Sequence, residues 1–282
     1  MRKIRDIILL LILFSPPILC AGPLEDARFF EKIYLAVAIR VETIPTSTIG
    51  TGFLTKLERE PTKLVFTTNK HMVEGANELK LTVPIKDTSK IIIDTITINV
   101  PLFKDKVKQY YIPDESLDIA FLIIDKTILH KADPKLDIVR FSSLPYSVYT
   151  SIKNLFAGQS VLFTGYPLGL TVNRTQPLLR KGSIAGIDTI RGVIYLDADA
   201  FGGSSGSPVF IDFSSQTNIE FWNTYEQMLV GIIAGYLPFE KRLVNIETGR
   251  IEMVQTENSG IAVVVPAETI RKMAERFLAD FK

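Results

Sequence analysis

From Lys32 onward the apolar residues come in short runs rich in valine, isoleucine, threonine, tyrosine and phenylalanine, broken by glycine, proline, asparagine or aspartate. Runs of this length, bounded by turn formers, read as strands rather than helices. They fall at 33–42, 52–57, 63–68, 78–83, 91–100 and 119–124, and again at 160–164, 182–187, 193–196, 208–211, 229–234 and 260–265. So many short strands, each needing a neighbour for its backbone amides, predict an all-β chain built as a packed pair of sheets or barrels.

Helical periodicity is confined to the ends. A short helix is expected at 24–31 and a clearer one at 267–281, where Ile270, Met273, Phe277 and Phe281 recur at spacings of three and four. That stripe faces a core, while Arg271, Lys272 and Glu275 face water. Segments 101–113 and 213–227 read as longer surface excursions, the second carrying the single tryptophan, Trp222. Neither marks a domain boundary, and no internal repeat breaks the chain.

The first 22 residues follow a different pattern. Basic Arg2, Lys3 and Arg5 precede an apolar run, then Pro16, Pro17 and the small Ala21 and Gly22. This order predicts a secretory signal peptide over 1–22, with the mature chain at 23–282 and a periplasmic or extracellular address. The apolar run is too short, and its prolines too disruptive, for a stable membrane span. Cys20 is the only cysteine, so no intrachain disulfide staples the fold. The bulky Leu19 before it argues against lipid attachment there.

Composition adds an exclusion. Lys and Arg number 32 and Asp and Glu 31; losing Arg2, Lys3, Arg5 and Asp6 leaves 29 against 30, a formal charge of −1. A chain this close to neutral lacks the one-signed field that a nucleic-acid or anionic-membrane partner requires. With 46% hydrophobic residues it can bury a substantial core.

Chemistry concentrates in Phe201-Gly202-Gly203-Ser204-Ser205-Gly206-Ser207-Pro208-Val209-Phe210, where glycines crowd around one serine before a strand. Glycines permit the turn that exposes a hydroxyl and let a carbonyl approach main-chain N–H groups without meeting a Cβ. By composition alone the same segment is a Gly/Ser turn between strands. A serine attacks only when a base takes its proton, and histidine serves near neutral pH. The chain has two: His71 ends a strand, whereas His130 lies in a polar turn and reads as a solvated loop residue. Asp118 enters a buried strand, where an unpaired carboxylate would be costly and a bond to His71 would remove that cost. Asp114 is the neighbouring alternative, in what reads as an ordinary exposed turn.

Segments 67–73, 117–122 and 203–208 resemble the three catalytic blocks of trypsin-fold serine peptidases, in the order His, Asp, Ser that sets this fold apart from subtilisins and α/β-hydrolases. The Gly-Gly-Ser-Ser-Gly-Ser-Pro-Val-Phe form is similar to bacterial glutamyl endopeptidases. Gly165-Tyr166-Pro167-Leu168-Gly169, segment 181–186, Asp197-Ala198 and segment 260–266 resemble the HtrA protease domain. The resemblance implies two antiparallel six-stranded barrels, about 33–140 and 155–265, followed by the C-terminal helix. It assigns His71, Asp118 and Ser205 to a triad and the N–H groups of Gly203 and Ser205 to an oxyanion hole. It implies hydrolysis of polypeptide substrates through an acyl-enzyme, with no metal or organic cofactor.

Two departures limit what carries over. Ser204 stands where trypsin has the aspartate that pairs with a new N-terminus, so that activation is not expected. No PDZ domain is expected after the terminal helix, so HtrA trimer assembly and peptide-regulated allostery are not carried over. For substrate binding, Asp199 lies six residues before Ser205, where trypsin holds the acid that selects lysine or arginine. The HtrA-like register through Asp197-Ala198 instead makes Asp199 a loop acid, and a pocket wall including Ala234 and Gly235 would admit an apolar side chain. An acidic preference also stays open. A noncatalytic peptide-binding or chaperone-like protein is the alternative function, and an esterase acting by the same acyl chemistry is another. Oligomeric state is not legible in the sequence.

Overall fold

A computed structural model describes residues 34–56, 63–86, 92–132, 143–172, 175–213 and 228–280. The expected signal peptide, the expected helix at 24–31, Trp222 and Phe281 lie outside the described residues. Residues Ile33–Lys282 form one compact unit.

In the first half, β1 (Ile39–Ile44), β2 (Ile49–Lys56), β3 (Leu64–Thr68), β4 (Glu78–Lys86) and β5 (Ile92–Pro101) precede three two-residue strands and a longer one. These are β6 (Phe103–Lys104), β7 (Val107–Lys108), β8 (Tyr110–Tyr111) and β9 (Ala120–Ile124). Seven of them form an antiparallel sheet in the order β5-β4-β1-β2-β3-β9-β8, and β6 pairs with β7 alone. β1 shows the alternation that places it: Ile39, Val41 and Thr43 are buried, whereas Arg40 and Glu42 face outward and pair at 2.9 Å. β3 lies between β2 and β9 and is buried at all five positions. Leu54, Phe66, Met72, Leu81, Ile98 and Leu122 fill the core that this sheet wraps.

The second half is a closed barrel. β10 (Ser160–Gly165), β11 (Leu178–Asp188), β12 (Val193–Asp197), β13 (Pro208–Ile211), β14 (Leu229–Val244) and β15 (Ile251–Pro266) join in the order β10-β11-β12-β15-β14-β13. Pro208 is the first residue of its strand, where the missing N–H is tolerated. Phe163, Ile184, Leu196, Val209, Ile233 and Val264 fill this second core. The all-β class with two antiparallel lobes and a terminal helix is therefore as expected. In detail the first lobe has seven strands, because the short β8 is added beside β9.

The described residues after β9 include the helices α1 (Lys126–Ala132) and α2 (Ala267–Asp280). α2 leaves the second barrel and packs on the first lobe, where Phe277 stacks with Tyr111 at 5.0 Å and Phe121 at 6.0 Å. Burying that phenylalanine contributes about 1.5–3 kcal/mol.

Local differences from the sequence reading have physical causes. His130 sits in the last turn of α1 rather than in a loop, because Asp125 accepts from the N–H of Ile128 (3.1 Å) and Leu129 is buried. Residues 34–37 form a helical turn before β1, with Tyr34 packed on Phe210 of the second barrel at 5.1 Å. β14 and β15 run far beyond 234 and before 260, pairing as a ribbon outside the barrel.

Candidate active site

His71 lies in a 3-10 turn, Lys70–Met72, that follows β3. Met72 and Val73 are buried in the first core, and Asn69 donates Nδ2 to the Asp118 carbonyl (2.7 Å), so the turn is fixed from both sides. His71 itself points outward, with 43% of its side chain exposed. In the β3–β9 register Thr68 faces Ala120; continued by two residues, it sets Asp118 opposite the turn. The Asp118 carboxylate holds His71 twice, accepting the backbone N–H at Oδ1 (3.1 Å) and bonding Nδ1 at Oδ2 (2.7 Å). An ionised carboxylate there only accepts, so Nδ1 carries the proton and Nε2 of the neutral ring is left as an acceptor. The alternative acid, Asp114, is occupied locally: it accepts from Ser116 N (2.8 Å) and Ser116 Oγ (2.6 Å), and those bonds hold its carboxyl below the usual range.

Ser205 sits half-buried in the loop between β12 and β13. Two turns shape the loop, Ser204 N–H donating to Phe201 O (2.8 Å) and Ser207 N–H to Ser204 O (3.0 Å). Gly203 and Gly206 have φ of +91° and +81°, a region costly for other residues. A Cβ on Gly203 would meet the Tyr166 carbonyl, and one on Gly206 the Thr51 carbonyl. Ser204 is buried and its Oγ accepts from Phe201 N–H (3.3 Å), so a hydroxyl occupies the place where an activating ion pair would need a carboxylate. Neither Gly203 N–H nor Ser205 N–H donates a hydrogen bond among the described residues. No hydrogen bond joins Ser205 Oγ to His71 among them either.

The two halves of the site meet through a residue that sequence reasoning did not single out. Thr51, fully buried on β2, donates Oγ1 to Gly203 O (2.9 Å) and accepts Tyr166 N–H (3.3 Å). Its own N–H donates to Ser205 O (2.7 Å), and its carbonyl accepts Thr68 Oγ1 (2.8 Å), three residues before His71. One strand residue thus links the serine loop to the histidine turn. The only sequence signal was its place between Gly50 and Gly52.

Of the substrate-binding candidates, Ala234 and Gly235 follow Ile233 on β14, beside the serine loop: Gly206 N–H donates to Ile233 O (2.8 Å). Asp199 is exposed, with Oδ1 facing Gly260, and its carbonyl accepts from Arg180. The Arg180 guanidinium lies over the rings of Phe163 and Phe201 at 5.2 and 5.3 Å. Among the described residues no group of three or more His, Cys, Asp or Glu side chains is placed to hold a metal. No helix among them is long and apolar enough to cross a membrane.

The trypsin-like peptidase domain family matches residues 50–215, which include His71, Asp118 and Ser205. No curated protein matches the chain in sequence. Among solved structures, Deg5 is 16% identical with a TM-score of 0.51, over 90% of this chain and 94% of its own. The HtrA-type protease AlgW, in a serine-to-alanine form with a tripeptide, is 16% identical with a TM-score of 0.50. That likeness covers 88% of this chain but only 61% of AlgW. An inactive serine-to-alanine form of Rv3671c from M. tuberculosis H37Rv is also 16% identical, with a TM-score of 0.48 over 94% of both chains. At such identities the Deg5 and AlgW likenesses speak for the fold alone, and the family match spans more than half of the 282 residues: the chain belongs to the trypsin-like peptidase domain family and is a serine peptidase.

Proposed function

We propose that the chain is an active endopeptidase in which Ser205 attacks the scissile carbonyl, His71 takes its proton and Asp118 orients the imidazole. The supporting observation is the pairing of His71 Nδ1 with Asp118 at 2.7 Å, which leaves Nε2 as the free basic nitrogen. The uncommitted N–H groups of Gly203 and Ser205 are the proposed donors to the tetrahedral oxyanion. Proton return from His71 to the leaving amine gives an acyl-enzyme, which water then hydrolyses by the same route. In free enzymes the serine–histidine bond is often long and tightens only with substrate, so its absence here is compatible with this chemistry.

Substrate backbone contacts are proposed at Ala234 and Gly235. A small or apolar residue before the scissile bond suits this pocket better than a lysine, because Arg180 bonds the backbone of Asp199 and sets a cation beside that acid. Residues 1–22 are proposed to direct export and to be removed. The noncatalytic peptide-binding reading draws on the unjoined Ser205 and His71.

A fluorophosphonate probe separates the two. The purified mature chain is expected to be labelled at Ser205 and to cleave peptides, and Ser205→Ala to lose labelling and on the order of 10⁶ in kcat. Full peptide hydrolysis by Ser205→Ala would end the assignment. Cleavage-site profiling beside that variant reads the pocket preference.

A further inference from the structure

β3 ends at Thr68, and its ladder with β9 ends at the pair Thr68↔Ala120. The next bond between the two segments is made by a side chain: Asn69 Nδ2 donates to the Asp118 carbonyl at 2.7 Å. That carbonyl belongs to the peptide group joining Asp118 to Ile119, whose N–H donates back to Leu117 O (2.9 Å). A bond from one residue to the second before it closes a γ-turn, here centred on Asp118, and since φ of Asp118 is not positive the turn is the inverse form. Both ends of one planar peptide are thus tied, one by the turn and the other by Asn69, which sets the direction in which the Asp118 side chain leaves the backbone.

That direction has no other support. Among the described residues the Asp118 carboxylate accepts only from His71, at its backbone N–H and at Nδ1. A carboxylate held only by the imidazole it orients supplies no independent reference, so the reference comes from the backbone. Asn69 is also a poor packing residue: it is fully buried, yet its Oδ1 meets no donor among the described residues. An unmet buried oxygen is a cost that an apolar side chain of the same size avoids. Packing therefore does not account for the amide, whose one bond is the one to Asp118. Lys70 makes the neighbouring link, to Glu115 O (2.7 Å) and Oε2 (3.1 Å), but the Glu115 side chain is 81% exposed and such a surface pair holds little.

We propose that Asn69 is a positioning residue for the proposed triad: its amide holds the Asp118 backbone, and through it the angle at which the carboxylate meets His71 Nδ1. It touches neither substrate nor reacting atoms. The proposal rests on the reading of His71 as base and Asp118 as its orienting acid. Without the amide the γ-turn can rotate and the imidazole turns with it, so the Nδ1–H form is held less firmly and Nε2 faces Ser205 for a smaller share of the time. That lowers kcat and leaves KM alone, because a fully buried side chain contributes nothing to uniform substrate binding.

The test sets Asn69→Ala beside the parent in the mature chain. Its kcat on a peptide substrate is expected to fall by about 10², the loss that a misplacement near 1 Å brings, with KM within about twofold of the parent. Nitrogen-15 NMR of the two histidines, at mildly alkaline pH, reads which ring nitrogen carries the proton. His71 is expected as the Nδ1–H form in the parent and as a mixture shifted toward Nε2–H in Asn69→Ala, with Asp118→Asn as the reference for full loss. The thermal melt is expected to stay near the parent, since the change removes an unmet oxygen together with a bond. Asn69→Leu, which keeps the volume, carries the same expectations should the alanine variant not fold, and Lys70→Met is expected to keep both kcat and tautomer. A kcat within about threefold of the parent, a hundredfold loss with the Nδ1–H form intact, or equal losses in Lys70→Met would overturn the proposal. The tautomer is also read in Ser205→Ala, while fluorophosphonate labelling of the parent judges the nucleophile, so a wrong nucleophile and a wrong tether give different results. A parent whose His71 is not in the Nδ1–H form would sink the underlying reading, and this proposal with it.

Discussion

Thr51→Val removes one hydroxyl and keeps nearly the same shape, which makes it the sharpest probe of how the two lobes hold the serine loop. The change strips Gly203 O of its donor at 2.9 Å and Tyr166 N–H of its acceptor at 3.3 Å, both at buried residues. Each orphaned buried group costs about 1–3 kcal/mol, the longer bond falling at the lower end, so a loss of roughly 2–4 kcal/mol is expected. That is a large share of the 5–15 kcal/mol typical of a folded domain. The catalytic effect comes from Gly203, whose N–H is a proposed oxyanion donor on a residue whose carbonyl is no longer tethered. Its ceiling is the loss of one such donor, about 10²–10³ in kcat. Urea unfolding followed by circular dichroism reads the first quantity, and the rate of fluorophosphonate labelling the second. Thr51→Ser keeps Oγ1 and should remain near the parent in both. Stability of Thr51→Val within about 0.5 kcal/mol of the parent, the scatter of a neutral surface change, would refute the tether. Labelling at the parental rate despite lost stability would refute its bearing on the oxyanion site.

Further outcomes follow from the same geometry. Asp118→Asn should fold normally but lower kcat by about 10⁴, because an amide can donate to Nδ1 and so favours the wrong tautomer; steady-state kinetics beside a thermal melt checks this. Glu268 is held down to about 2 by Lys272, then by Ser151 Oγ and the N–H of Ile152. A carboxylate with a depressed folded pKa stabilises most above its unfolded value, and that contribution fades as pH falls toward the folded one. Glu268→Gln should therefore be less stable than the parent at pH 7, with the gap closing from about pH 4.5 down to about 2; urea midpoints across that window would show a constant gap if the linkage were absent.

The strands and the proposed triad were legible along the chain for different reasons. Strands announce themselves because a half-buried pleat imposes its pattern on successive residues, as Ile39, Val41 and Thr43 show. The chemistry was legible because serine, histidine and aspartate carry it in short motifs around Ser205, His71 and Asp118. The ribbon beyond Ala234 was not, since a segment outside the barrel has no core to write a period into it. Helix α1 was missed because seven residues are too few to separate a helical stripe from a polar turn, and its start depends on one cap at Asp125.

By itself, then, the sequence determined an all-β chain and the candidates for its reactive groups, since both depend on residue type and near neighbours. What only the tertiary structure decided is which groups meet: Asp118 rather than Asp114 on His71, Thr51 on the serine loop, and Ile233 beside Gly206 and Ser207. The Thr51–Gly203 bond spans 152 positions. No local pattern can encode such a partner, because a hydrogen bond across that separation exists only once two lobes, each with its own core, have closed on each other.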